Sequence, residues 1–151
     1  MTDAELQIVL AECIDAVLEQ MFFVRAFEGS PSMAPQELAV QVAFSGQPSG
    51  CLTLRIAAAT GRIIAAGFLG EDECVLSEQQ VSEVICELAN IICGSVLSRV
   101  ESDASFRLTS ARVIKPEEAR LYAGVTHSVP AGGGALTLAF QMESPVCLTP
   151  A

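Results

Sequence analysis

At the start of the chain, apolar residues recur at Leu6, Val9, Leu10, Cys13, Ile14, Val17, Leu18 and Met21. That three-and-four spacing belongs to a helix with one buried side. Thr2 followed by Glu5 has the pattern of a capping box, so the helix is predicted to begin there and to run to about Phe27. Gly29, Pro31 and Pro35 end it in a loop. The period then changes to two. Leu38 to Phe44 alternates as a strand, Ser45 to Gly50 reads as a turn, and Cys51 to Ile56 returns as a second strand of a hairpin. Ala57 to Phe68 is a helix of small residues closed by Gly70. Glu78 to Val100 reads as one long helix. Phe106 to Ile114 is strand-like until Pro116-Glu117-Glu118 breaks it, and Leu121 to Ser128 with Ala135 to Met142 forms a further hairpin. Its link, Pro130 to Gly134, is glycine-rich but lacks the lysine and following helix of a phosphate loop, so a flexible turn is expected. The tail from Ser144 carries two prolines and is expected to be loosely held. No internal repeat or long linker interrupts residues 1–151, which predicts a single domain.

The long helix is divided by polarity. At about 100° per residue, with Glu83 at zero, Glu87 falls near ~40°, Asn90 near ~−20° and Gly94 near ~20°. On the same wheel Val81, Val84, Ile85, Leu88, Ile91, Ile92 and Val96 spread over roughly 80–220°. A pair of glutamates alone needs no more than a solvated face. Asn and Gly each cost a helix interior roughly 0.5–1 kcal/mol relative to Ala, and Asn90 is the only asparagine in the chain. Gly94 bares the backbone beside it and permits close approach of another surface. The stripe therefore reads as a face for docking and chemistry.

Composition narrows the classes. Hydrophobic residues make up 51% and charged ones 17%, a globular balance. The net charge of −10 argues against nucleic acid, whose phosphates it would repel, and suits a partner that presents lysine or arginine. No apolar run is expected to reach the roughly 20 residues that span a bilayer, and the opening MTDAELQ has no basic leader, so a cytoplasmic protein without membrane contact is predicted. The six cysteines form no CxxC pair and there is one histidine, His127, so no metal site is expected.

Glu87-Leu-Ala-Asn90, with an acid four residues before and Gly94 four after, resembles the ExxN motif of the CheC/CheX/FliY chemotaxis phosphatases. Other features fall in the same order: the opening helix through Glu19-Gln-Met-Phe-Phe23, Phe44-Ser-Gly46 leading to Gly50-Cys-Leu-Thr-Leu54, and Phe68-Leu-Gly70-Glu71-Asp72 before the motif helix. The resemblance covers about Glu5 to Val100. Only one helix carries the motif and the opening helix has no asparagine, which makes CheX the closer match. The resemblance implies an α+β fold, with an antiparallel-rich β-sheet packed by long helices, including the N-terminal helix and the motif helix. It implies a phosphatase acting on the phosphoaspartate of a CheY-like response-regulator receiver domain. Asn90 would position the attacking water and Glu87 would pair with the receiver's lysine; these are the catalytic candidates, with Glu83 and Gly94 as partner-binding residues. No cofactor of its own is implied, Mg being expected in the receiver, and a homodimer is. Two departures stand out. Glu83 occupies a position where the family often has Ser or Asp, and Pro116 lies later than the family pattern puts its proline.

Such chemistry needs little from the chain. An acyl phosphate is already reactive, and its receiver supplies metal and lysine; an amide on a rigid helix can hold the in-line water by one donor and one acceptor, as a glutamine does in small GTPases. Two other readings remain open at this level. The same face could bind a receiver, or a flagellar-switch component of related fold, without hydrolysis; Cys86 or Cys93 could instead serve an unrelated thiol enzyme.

Overall fold

The computed structural model describes residues 2–20, 37–46, 49–100, 106–119, 124–131 and 134–142. The expected end of the first helix beyond Gln20, the loop at 29–35 and the tail lie outside them.

Helix α1 (Asp3–Gln20) starts at the predicted capping box: the Thr2 N–H donates to Glu5 Oε2 at 2.9 Å and the Glu5 N–H to Thr2 Oγ1 at 3.1 Å. Strands β1 (Glu37–Ser45) and β2 (Gly50–Ala57) pair antiparallel, with Val40 opposite Leu54. Helix α2 (Ala58–Leu69) ends at Gly70, whose φ is 66°. A short 3-10 turn, Glu73–Val75, then leads into α3 (Glu78–Val100). After it come β3 (Arg107–Leu108), β4 (Arg112–Ile114), the short helix α4 (Pro116–Ala119), β5 (Val125–Ala131) and β6 (Gly134–Met142). The sheet runs β3-β1-β2-β6-β5, with β4 also on β1, and every pairing is antiparallel. This is the expected α+β architecture.

One face of the sheet carries the main core. Val40, Val42, Leu52, Leu54, Ile56, Leu136 and Leu138 point toward α1 and α3, whose own apolar sides are buried against them. Helix α3 lies over β1 and β2 and also touches α1 and α2, while α1 reaches β5, where Gln7 Nε2 donates to the Thr126 carbonyl at 3.0 Å. By length and composition α3 could cross a membrane, contrary to the expectation that no run would reach that length. Its apolar side is instead occupied by the sheet and neighbouring helices. A small second cluster, Ala39, Ile114 and Ala119, packs on the other face under α4.

Two strand expectations need correction. Residues 106–114 are not one strand. Leu108 is opposite Phe44 but Arg112 is opposite Gln41, so the β3–β4 side carries one extra residue across from β1. That is a β-bulge, which turns the strand and shifts its pairing by one residue. Thr109 bridges it: the Ala43 N–H donates to Thr109 Oγ1 at 3.1 Å, and the Thr109 N–H to the Ala43 carbonyl at 2.9 Å. The 130–134 link is also shorter than expected. Pro130 and Ala131 belong to β5, opposite Ala135 and Gly134. A proline is tolerated there because β5 is an edge strand, with one side of its backbone outside the ladder.

Among the described glycines, Gly50 leaves the least room for a Cβ. A Cβ placed there would collide with the carbonyl oxygen of Gln141 and lie 2.8 Å from Cζ of Phe44, itself stacked on Phe140 at 5.4 Å. Gly50→Ala must therefore open the β2–β6 pairing or displace an aromatic ring. Such overpacking costs about 1–3 kcal/mol, so thermal unfolding should show a fall in Tm of several degrees with little change in the far-UV spectrum.

Candidate functional site

The long helix is held at its start by two devices. Ser77 and Gln80 form a second capping box: the Ser77 N–H donates to Gln80 Oε1 at 2.8 Å and the Gln80 N–H to Ser77 Oγ at 3.1 Å. Arg62, from α2, donates from Nη1 to the carbonyls of Glu73 at 2.9 Å and Leu76 at 2.6 Å. It ties the 3-10 turn to α2 and sets the direction in which α3 leaves. Asp72 caps the same turn by accepting from the Cys74 N–H at 2.9 Å, which holds its carboxyl below the usual range. The Ser-x-x-Gln signature was readable in the sequence, although the sequence reading did not single it out. Arg62 carried no sequence signal, since its partners are backbone carbonyls of a turn beyond its own helix.

Along α3, Val81, Val84, Ile85, Leu88, Ala89, Ile92, Cys93, Val96 and Leu97 are buried. Glu83 and Glu87 are exposed, and Asn90 and Gly94 are partly exposed. The four predicted site residues thus share one accessible side of a helix whose opposite side is locked into the core. Glu83 accepts from Gln79 Nε2 at 3.0 Å, which steadies its carboxylate one turn up the same side. A Cβ at Gly94 would meet nothing within 4 Å, so no packing inside the chain requires glycine there. The bare backbone faces outward.

The thiols beside this face are poorly suited to nucleophilic work. Burial pushes the Cys93 thiol up to about 12, with Cys51 adding to it. Burial, then the charge of Glu83, raises Cys86. His127 sits on β5, the edge strand of the sheet farthest from β3. Among the described residues no three of His, Cys, Asp or Glu gather as a metal ion would require. What remains on the open face is carboxylate, amide and bare backbone: acceptors for a cation, and one group able both to donate to and accept from a water.

The raised thiol also has a consequence for stability. Between the ordinary value of 9.0 and about 12, the unfolded chain has lost the Cys93 proton and the folded chain keeps it. The contribution is whole below pH 9 and drains away as pH rises toward 12, at up to about 1.4 kcal/mol per pH unit. Urea unfolding at rising alkaline pH should show a steeper loss for wild type than for Cys93→Ala.

Comparison with known proteins gives a family and a fold. Residues 38–129 match the family described as chemotaxis phosphatase CheX. No curated protein matches the sequence. A chemotaxis protein CheX from Desulfovibrio desulfuricans superposes with a TM-score of 0.69 at 16% identity, covering 92% of this chain and 99% of its own. A chain of the CheX-CheY-BeF3-Mg complex from Borrelia burgdorferi gives 0.70 at 18%, covering 95% and 99%. FliY from Thermotoga maritima gives 0.59 at 12%, covering 95% and 88%. At these identities the superpositions speak for a shared fold, and the family match spans more than half of the sequence. The chain belongs to the CheX family of chemotaxis phosphatases.

Proposed function

We propose that the chain removes phosphate from the phosphoaspartate of a CheY-like receiver domain by docking the open side of α3 against it. The observation that carries this reading is the alignment of Glu87, Asn90 and Gly94 on one accessible side of a helix that is capped, tied by Arg62 and buried along its back. Rigidity matters because positioning a water is the whole of the catalytic task. Displacement by about 1 Å can cost a hundredfold.

In this reading Gly94 lets the receiver's surface come against the helix backbone. Glu87 pairs with the receiver's lysine and sets the register, and Glu83 lends a second acceptor one turn away. Asn90 reaches the acyl phosphate and orients a water, its carbonyl oxygen accepting from the water and its NH2 free to donate. The water attacks phosphorus, the bond from phosphorus to the aspartyl oxygen breaks, and the products are free aspartate and inorganic phosphate. The chain supplies no metal; Mg stays with the receiver. A Borrelia burgdorferi CheX has been crystallised with CheY, BeF3 and Mg, a pairing of the kind proposed. The proposal includes a cytoplasmic setting and a homodimer, the latter in keeping with the low charge and 51% apolar content. Sedimentation tests the dimer.

The deciding measurement is phosphate loss from phosphorylated receivers of the same genome, with and without the protein. Acceleration over the receiver's own decay supports the proposal. Binding without acceleration would make the chain a docking module, and neither would remove the reading.

A further inference from the structure

Helices α1 and α3 pack side by side, and where they meet they leave a cleft of about 360 Å3. Ala16 and Val17 of α1 and Ile91 of α3 give it an apolar floor, and Ser95 and Ser98 form its other wall. The reason it stays open is the size of these residues. While α3 turns Ile92 and Val96 into the core, it gives α1 two serines, and α1 answers with Ala16, none long enough to span the gap. Ser98 Oγ donates to the Ser95 carbonyl at 3.0 Å, within its own helix, so that hydroxyl does not cross the cleft either. One end is closed by an ion pair between the helices, Arg99 Nη2 to Glu12 Oε2 at 2.6 Å.

The cleft adjoins the open stripe of α3. With Glu83 at zero, Ser98 falls near ~60° and Ile91 near ~80°, next to Glu87 at ~40°. Along the chain Ile91 follows Asn90, and Ser95 follows Gly94. A body that covers Asn90 and Gly94 therefore also covers the mouth of the cleft. We infer that the cleft anchors the phosphorylated receiver, by taking one apolar side chain that the receiver presents beside its phosphoryl group.

The inference rests on the proposed function and supplies what the stripe lacks. An exposed ion pair, such as that of Glu87 with a lysine, contributes little to affinity. Strong contacts in an interface are a few side chains seated in pockets and ringed by residues that exclude water. A volume near the roughly 300 Å3 at which small-molecule pockets begin has room for one large side chain. That side chain is apolar because the floor offers a polar group no partner, and burying one unpartnered is costly. Arg99 and Glu12 already satisfy each other at the end. The work then divides: Asn90 acts on rate, Glu87 on register, and Ala16, Ile91 and Ser95 on affinity for the receiver.

The test fills the cleft from the helix that carries none of the stripe. Ala16 is exposed on α1, and in full-length Ala16→Phe the ring occupies the space that the receiver's side chain would take. Binding of BeF3-loaded receiver is measured, together with phosphate loss at rising receiver concentration. The dissociation constant is expected to rise at least about tenfold, with the rate at saturating receiver within about twofold of wild type. Ser95→Ala, a better helix former, is measured beside it; it makes the wall more apolar and should bind the receiver equally or more tightly. Folded Ala16→Phe with wild-type affinity would overturn the inference, as would a loss confined to the saturated rate. Weaker binding by Ser95→Ala would mean a polar occupant and overturn it as well. Failure of the functional reading shows in wild type itself, which would not speed phosphate loss. If wild type still binds the receiver, the affinities of the two variants decide the cleft alone; if it does not bind, the anchor falls with the reading.

Discussion

Asn90→Ala is expected to lower receiver dephosphorylation by about 100-fold or more, down to the receiver's own rate of hydrolysis, while affinity changes by no more than about threefold. The asymmetry follows from the work assigned to each residue. Asn90 lies at the partly exposed centre of the α3 stripe and its side chain makes no hydrogen bond among the described residues, so truncation to Ala leaves the buried side formed by Leu88, Ala89 and Ile92 as it is. Alanine is also the better helix former, which removes instability as a competing explanation. What the variant loses is the donor and acceptor to which the proposed function assigns the holding of the water. Single-turnover decay of phosphorylated receiver, with binding of BeF3-loaded receiver measured beside it, separates the two quantities. Equal losses of rate and affinity would make Asn90 a docking residue and return the chain to the binding-module reading.

The second large effect is expected at Gly94, and its sign for stability is opposite to its sign for function. A helical glycine with open space where its Cβ would be is a place where a good helix former should help the isolated chain. Gly94→Leu is expected to stabilise by about 0.8 kcal/mol from helix propensity alone, or about 2–3 °C in Tm for a chain of this size. The same leucine stands on the surface that, in the proposed function, the receiver must approach. A loss of affinity of about tenfold or more is expected, since interposing a side chain forfeits packed contact across the centre of an interface. A variant that is more stable and binds as well as wild type would show that the receiver does not cover this turn of α3.

Much of the site was legible in the sequence because helices are local. Residues three and four apart share a side whatever the rest of the chain does, so the wheel alone put Glu83, Glu87, Asn90 and Gly94 together, and α3 runs over the predicted Glu78–Val100. The capping box at Thr2 was legible for the same reason, being a contact of three residues' span. The Ser77–Gln80 box had the same short span and could have been read.

The hairpins could be read to within a few residues, since alternation and turn chemistry are also short-range. The sequence alone therefore determined which helix carries the candidate site, which of its sides is open, and where the strands of each hairpin lie. Strand partners and register are different: they depend on residues far apart in the chain, and no local pattern encodes them. Only the tertiary structure decided that β2 pairs with β6, that a bulge at Thr109 divides β3 from β4, and that Pro130 continues an edge strand. It decided likewise that Arg62 aims α3, through carbonyls that any residue could have offered.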